Sequence, residues 1–89
     1  MTRSNLQRAI DNLDKAMCDL HDNDLFNQAV NDAILILGVM PADIRAEFGI
    51  SRSTLNNWIL GISAPNIAAR APVYEYFLGR AHQLRDSNG

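Results

Sequence analysis

Between Pro41 and Gly61 the chain is punctuated too closely for anything but two short helices joined by a tight turn. Pro41 suits the first position of a helix, where its missing N–H has no partner to lose. Gly49 supplies the positive φ that a sharp reversal requires. Ser51 is a good N-cap for a second helix, and Gly61 stands where a glycine commonly ends one. Two helices this short are stable only if they cross steeply and share an apolar face. Ile44 and Phe48 on the first, Ile50 in the turn, and Leu55 and Trp58 on the second provide that face. The segment 41–58 therefore reads as a helix-turn-helix.

The same geometry turns Arg52, Ser53, Asn56 and Asn57 outward. A merely solvated helix face more usually carries Glu, Lys and Gln. Serine and asparagine are poorer helix formers, so their concentration here points to hydrogen bonding. Arginine suits guanine in the major groove, and asparagine suits adenine.

Gly-Ile-Ser-Arg-Ser-Thr-Leu-Asn-Asn-Trp (49–58), followed by Gly61 and Pro65 in the pattern Trp-x-x-Gly-x-x-x-Pro, resembles the Cro-type phage-repressor (XRE-like) helix-turn-helix family. The resemblance spans about residues 25–84, and its specific part is 44–65. It implies that Arg52, Ser53 and Asn56 read bases, while Ser51, Asn57, Ser63 and Asn66 contact phosphates. The chain departs from the family's usual residues at Pro41, Arg45 and Ile59, the last implying an apolar patch that something else covers.

Around this segment the periodicity is helical throughout. There is no sustained period-2 run and no Asn-Gly or Asp-Gly hairpin turn. Leu6, Ile10, Leu13, Met17 and Leu20, spaced 4, 3, 4 and 3, line one face of a helix over about 4–22, with Ser4 as its cap. Their spacing also matches the a and d positions of a coiled coil, so the stripe is a candidate dimerisation seam as well as a candidate intrachain face. A second helix runs from about Asp24 to Leu37, with Ala29, Val30, Ala33, Ile34 and Leu37 inward, and Gly38 ends it. A short turn follows Asn66. A final helix over about Pro72–Leu84 presents Val73, Tyr76, Phe77, Ala81 and Leu84 to the core. The expected architecture is all-α: a bundle of five or six helices. It comprises an N-terminal amphipathic helix (1–23), a helix-turn-helix domain (24–85) and a disordered tail (86–89).

At 89 residues the chain fits one domain, and a 47% hydrophobic content is that of a folded protein. The net charge of −2 argues mildly against nucleic acid, but its distribution softens that objection. Residues 1–37 carry three cations against six aspartates, whereas residues 38–89 carry five arginines against four acids. No acidic residue lies between Glu47 and Glu75, so that stretch can face phosphates without repelling them.

Other chemistries find little support. Cys18 and His21 would be half a metal site with no second pair, and zinc usually takes four ligands. Asp22-Asn23-Asp24 lacks the glycine and distal glutamate of a calcium loop and reads as a linker and helix cap. His82 reads as a surface residue. No nucleophile–base pair, phosphate-binding glycine loop or cofactor fingerprint is visible. A single cysteine, a polar N-terminus and an apolar run of only eight residues (33–40) lead to the expectation of a cytoplasmic protein. The reading is a sequence-specific transcriptional regulator, binding double-stranded DNA as a homodimer, with no cofactor, no metal and no enzymatic activity. The alternative is a helical adaptor that binds another protein, such as the transcription machinery or a phage component, without touching DNA.

Overall fold

The 4-3-4-3 spacing near the N-terminus does produce a helix, α1 (Thr2–Cys18), although it ends short of the expected residue 22 and leaves Leu20 in the turn beyond it. The computed structural model describes the backbone of residues 2–88 and the side chains of residues 5–86. Thr2 already lies in the helix, so Ser4 falls inside the first turn and does not precede it. Leu6, Ala9, Ile10, Leu13 and Ala16 are buried, the two alanines with no exposed surface at all. Their covering is their own chain: α1 packs on α2 (Asn23–Leu35) and α5 (Ile67–Asn88). Asn12 also donates from Nδ2 to Asp32 Oδ2 of α2 at 3.3 Å.

Leu6, Ile10 and Leu13 share one continuous core with Phe26, Val30, Leu55 and Phe77, and Met17 and Leu20 pack against its edge. A face buried in its own domain cannot also be a seam with a second copy. Of the five residues expected to form a dimerisation seam, Leu6, Ile10 and Leu13 are buried in intrachain packing, while Met17 and Leu20 are partly exposed at its margin. α1 is not an element apart from residues 24–85.

The chain reverses between α1 and α2, and Asp22 caps the second helix by accepting from the Leu25 N–H at 3.1 Å. Phe26, Ala29, Val30 and Ala33 form the inner face of α2, while Ile34, expected inward, is half-buried. Gly38 takes φ 70° just beyond the helix, letting Val39 N–H reach the Ala33 carbonyl at 2.9 Å. Leu37 and Val39 are then drawn into the core. Two short helices follow, α3 (Pro41–Phe48) and α4 (Arg52–Leu60), so five helices account for the described fold.

The last helix differs most from expectation. Sequence places its start at Pro72, but α5 begins at Ile67 and carries Pro72 inside it. Asn66 explains the early start: its Oδ1 accepts from the Ala69 N–H at 3.0 Å, the bond of an N-cap. An interior proline costs a helical hydrogen bond. Here Arg70, Val73 and Tyr74 are buried on either side of exposed Pro72 and hold the turn in place. The helix continues to Asn88, so residues 86–88 form its last turn where a disordered tail was expected, and Gly89 lies outside the described residues.

The inner face of α5 is Val73, Tyr74, Phe77 and Ala81, with Tyr76 and Leu84 at its margin. Tyr74 is fully buried, and its hydroxyl has no hydrogen-bond partner. Burial pushes its pKa up to about 12, partly offset by Arg70. Ionisation is thus harder in the folded state than in the unfolded chain. The resulting stability is fully present below pH ~10, the ordinary tyrosine value, and disappears as pH rises towards 12. Tyr74→Phe is expected to equal or exceed the wild type in stability at pH 7, since it removes an unsatisfied buried hydroxyl. It should also blunt the alkaline unfolding transition by about 2–3 kcal/mol. Urea titrations at pH 7 and above pH 10 check both halves.

Candidate nucleic-acid interface

The α3–α4 pair is built around Gly49, which adopts φ 61° and ψ 39°. Its own N–H and that of Ile50 both reach back to the Arg45 carbonyl, closing α3 while the chain turns. Ser51, in the extended region, then caps α4, accepting from the Thr54 N–H at 3.1 Å and sharing a 3.0 Å bond with the Thr54 hydroxyl. Below the turn Ile44, Leu55 and Trp58 are buried, and Phe48 and Ile50 are half-buried.

The apolar patch expected from sequence is present, but its internal partners differ. Trp58 meets Phe26 of α2 edge-on, with ring centroids 5.2 Å apart, in place of the expected Phe48. Phe48 instead meets Tyr76 of α5 edge-on at 5.5 Å. The helix-turn-helix is thus clamped from both sides by helices outside it.

Arg52, Ser53 and Asn56 are all exposed on the N-terminal half of α4. Positions 52, 53 and 56 lie together on one side of a helix. Asn57 is half-buried, at the border of that face. Ser63 and Asn66 are exposed beyond the end of α4. Ser51 and Asn66 already serve as caps of α4 and α5, so each hydroxyl or amide has only part of its bonding capacity free. Asp24 and Ser63 line the same hollow between the start of α2 and residues 61–64.

The charge on this side is modest. Arg52 is exposed, Arg45 is half-buried in the last turn of α3, and Asp43 and Glu47 are exposed on α3. Arg70 is removed from the surface altogether. It is 5% exposed, donates from Nε to the Pro65 carbonyl at 2.9 Å and from a guanidinium nitrogen to the Leu20 carbonyl at 2.7 Å. It also lies over the Phe26 ring at 5.8 Å. One of the five C-terminal arginines therefore ties the α1–α2 turn to the loop before α5.

Two further residues went unread in the sequence. Asn27 and Asn31 of α2 donate to carbonyls at the C-terminal end of α4. Their signal was a pair of asparagines four apart inside a helix, where that residue is a poor former. Ile59, whose place in the motif implied an apolar patch covered by something else, is partly buried against the chain's own core. The two apolar residues that follow it are not: Leu60 is 70% and Ile62 69% exposed.

Among the described residues no group of three or more His, Cys, Asp or Glu side chains converges as a metal site would. No helix there is long and apolar enough to cross a membrane. The chain matches no protein-family model, no curated protein and no solved structure.

Proposed function

We propose that this protein is a sequence-specific DNA-binding regulator of transcription, acting in the cytoplasm, that lays the N-terminal half of α4 in the major groove. The observation that carries the reading is the division of α4 itself. Leu55 and Trp58 are buried while Arg52, Ser53 and Asn56 stand exposed at the end that follows a left-handed Gly49 turn. That is the end a recognition helix presents to bases. The resemblance to Cro-type repressors supports the same assignment: base contacts from Arg52, Ser53 and Asn56, and phosphate contacts from Ser51, Asn57, Ser63 and Asn66. A homodimer reading half-sites about 34 Å apart completes the proposal, with its seam elsewhere than on α1.

The test is a DNA titration at several salt concentrations. Binding to duplex DNA should weaken linearly on a log–log scale, with a slope of about −0.9 per phosphate neutralised. Arg52→Ala and Asn56→Ala should each cost about 1–3 kcal/mol on the preferred duplex and relax its sequence preference, with thermal unfolding unchanged. Wild-type affinity in both variants would remove the proposed base readers.

The second reading is a helical adaptor that binds another protein. A specific observation favours it: Leu35, Met40, Leu60 and Ile62 are each at least 60% exposed. On that reading the titration gives no binding at any salt, and Leu60→Ser with Ile62→Ser abolishes capture of the protein partner.

A further inference from the structure

The last four carbonyls of a helix have no partner within it. In α4 these belong to Asn57, Trp58, Ile59 and Leu60. The Asn57 carbonyl accepts from the backbone N–H groups of Gly61, Ile62 and Ser63 as the chain turns through φ 77° at Gly61. The Trp58 carbonyl accepts a longer 3.3 Å bond from the Gly61 N–H, and it and the Ile59 carbonyl are both reached from a different helix. Asn27 donates from Nδ2 to Trp58 O at 2.7 Å and to Ile59 O at 2.9 Å, and Asn31 donates to Ile59 O at 3.0 Å. Asn31 is itself held by a 2.9 Å bond to the Asn27 carbonyl.

The geometry points to Asn27 and Asn31 as positioning residues: a pair of short amides on α2 that sets the orientation of α4, and with it the face offered to a ligand. The step from orientation to sequence choice rests on the DNA-binding reading above. The step from amides to orientation does not.

Three features separate positioning from simple capping. A lysine could satisfy the same carbonyls from many distances, whereas an asparagine has two side-chain torsions and a fixed reach. Three bonds from two anchors on one helix also restrict both the distance and the rotation of the end they hold. Finally, Phe26, beside Asn27, grips the Trp58 ring beneath the same turn, so α2 holds the C-terminal end of α4 by polar and apolar contacts together. The N-terminal end is held by the Gly49 turn and the core contact of Leu55. A nine-residue helix is about 13.5 Å long. A tilt of about 10° at the clamped end would therefore carry the Arg52 end by about 2 Å, enough to break a bidentate contact to a base.

The discriminating variant is Asn31→Gln, which keeps the donors but lengthens the arm by one methylene. Asn27→Leu with Asn31→Leu removes the donors at similar volume. The first measurement is the orientation of α4 relative to α2 in the free, full-length protein, from residual dipolar couplings of backbone amides. Both variants are expected to rotate α4 while their chemical shifts keep all five helices. If the double variant fails to fold, Asn31→Gln decides alone. An unchanged α4 orientation in folded Asn31→Gln overturns the proposal, because capping alone survives that change. The second measurement is the ratio of preferred to random duplex affinity. It should fall at least tenfold in Asn31→Gln while the salt slope stays at the wild-type value. A wild-type ratio in a variant whose α4 has rotated overturns the link to sequence choice. If the wild type binds no duplex at all, the DNA reading fails, and the couplings still decide whether the amides position α4.

Discussion

Leu13→Asp is expected to leave the protein unfolded at 25 °C, not to release a folded monomer. Leu13 is 1% exposed and sits in the middle of the α1 face that packs on α2 and α5. Losing a buried leucine costs about 2.7–5 kcal/mol before any charge is considered. An ionised carboxylate in the same place, within the apolar core cluster, adds several more. Against this, a domain of 89 residues has a total stability of about 4–13 kcal/mol. Removing residues 1–20 should have the same result, since it strips one wall from the core and exposes Phe26, Val30 and Phe77 to water. Far-UV circular dichroism and sedimentation of both variants check this. A helical monomer in either case would return α1 to the role of a separable dimerisation element.

The second large effect lies at Trp58. Trp58→Ala should cost about 3–5 kcal/mol, as truncation of a buried aromatic does. The ring is 5% exposed and meets Phe26 edge-on, an arrangement worth about 0.5–1.5 kcal/mol beyond burial. Phe26 in turn contacts Tyr74 at 5.7 Å and lies beneath the Arg70 guanidinium. The loss should therefore spread to the α1–α2 turn and to the loop before α5, both of which Arg70 holds. In urea the midpoint should fall steeply at unchanged slope. Wild-type Trp58 fluorescence should be blue-shifted and should move to the red only on unfolding. Emission already at the water-exposed wavelength in native protein contradicts the packing.

How much of this was legible in the sequence depends on whether a signal is local. The positive φ of Gly49, the end of α4 at Gly61, the Ser51 cap and a cap within residues 22–24 are legible because each is decided within a few residues. The α1 stripe was legible as a buried face but not as an intrachain one. Apolar periodicity says which side avoids water, not whose atoms cover it. Trp58 shows the same limit: burial followed from its place on α4, but its partner Phe26 is 32 residues away, and choosing it required the rotational phase of α2. The start of α5 went astray because two local signals competed, and the Asn66 cap outweighed Pro72. Tyr74 and Tyr76 flank the same apolar row, and periodicity alone does not choose which of them turns inward. In the candidate site Arg52, Ser53 and Asn56 are exposed where expected, whereas Asn27 and Asn31 act across helices and carry almost no local mark.

The most direct test of the central claim is a nuclear magnetic resonance titration of the full-length protein with duplex DNA, selected from a random pool at about 50 mM salt. The account predicts that the largest amide and side-chain shifts fall on Arg52, Ser53 and Asn56, with smaller ones at Ser51, Ser63 and Asn66, and almost none on α1. Shifts spread evenly over unrelated cations such as Arg8, Lys15 and Arg85, or no shifts at saturating duplex, would contradict it.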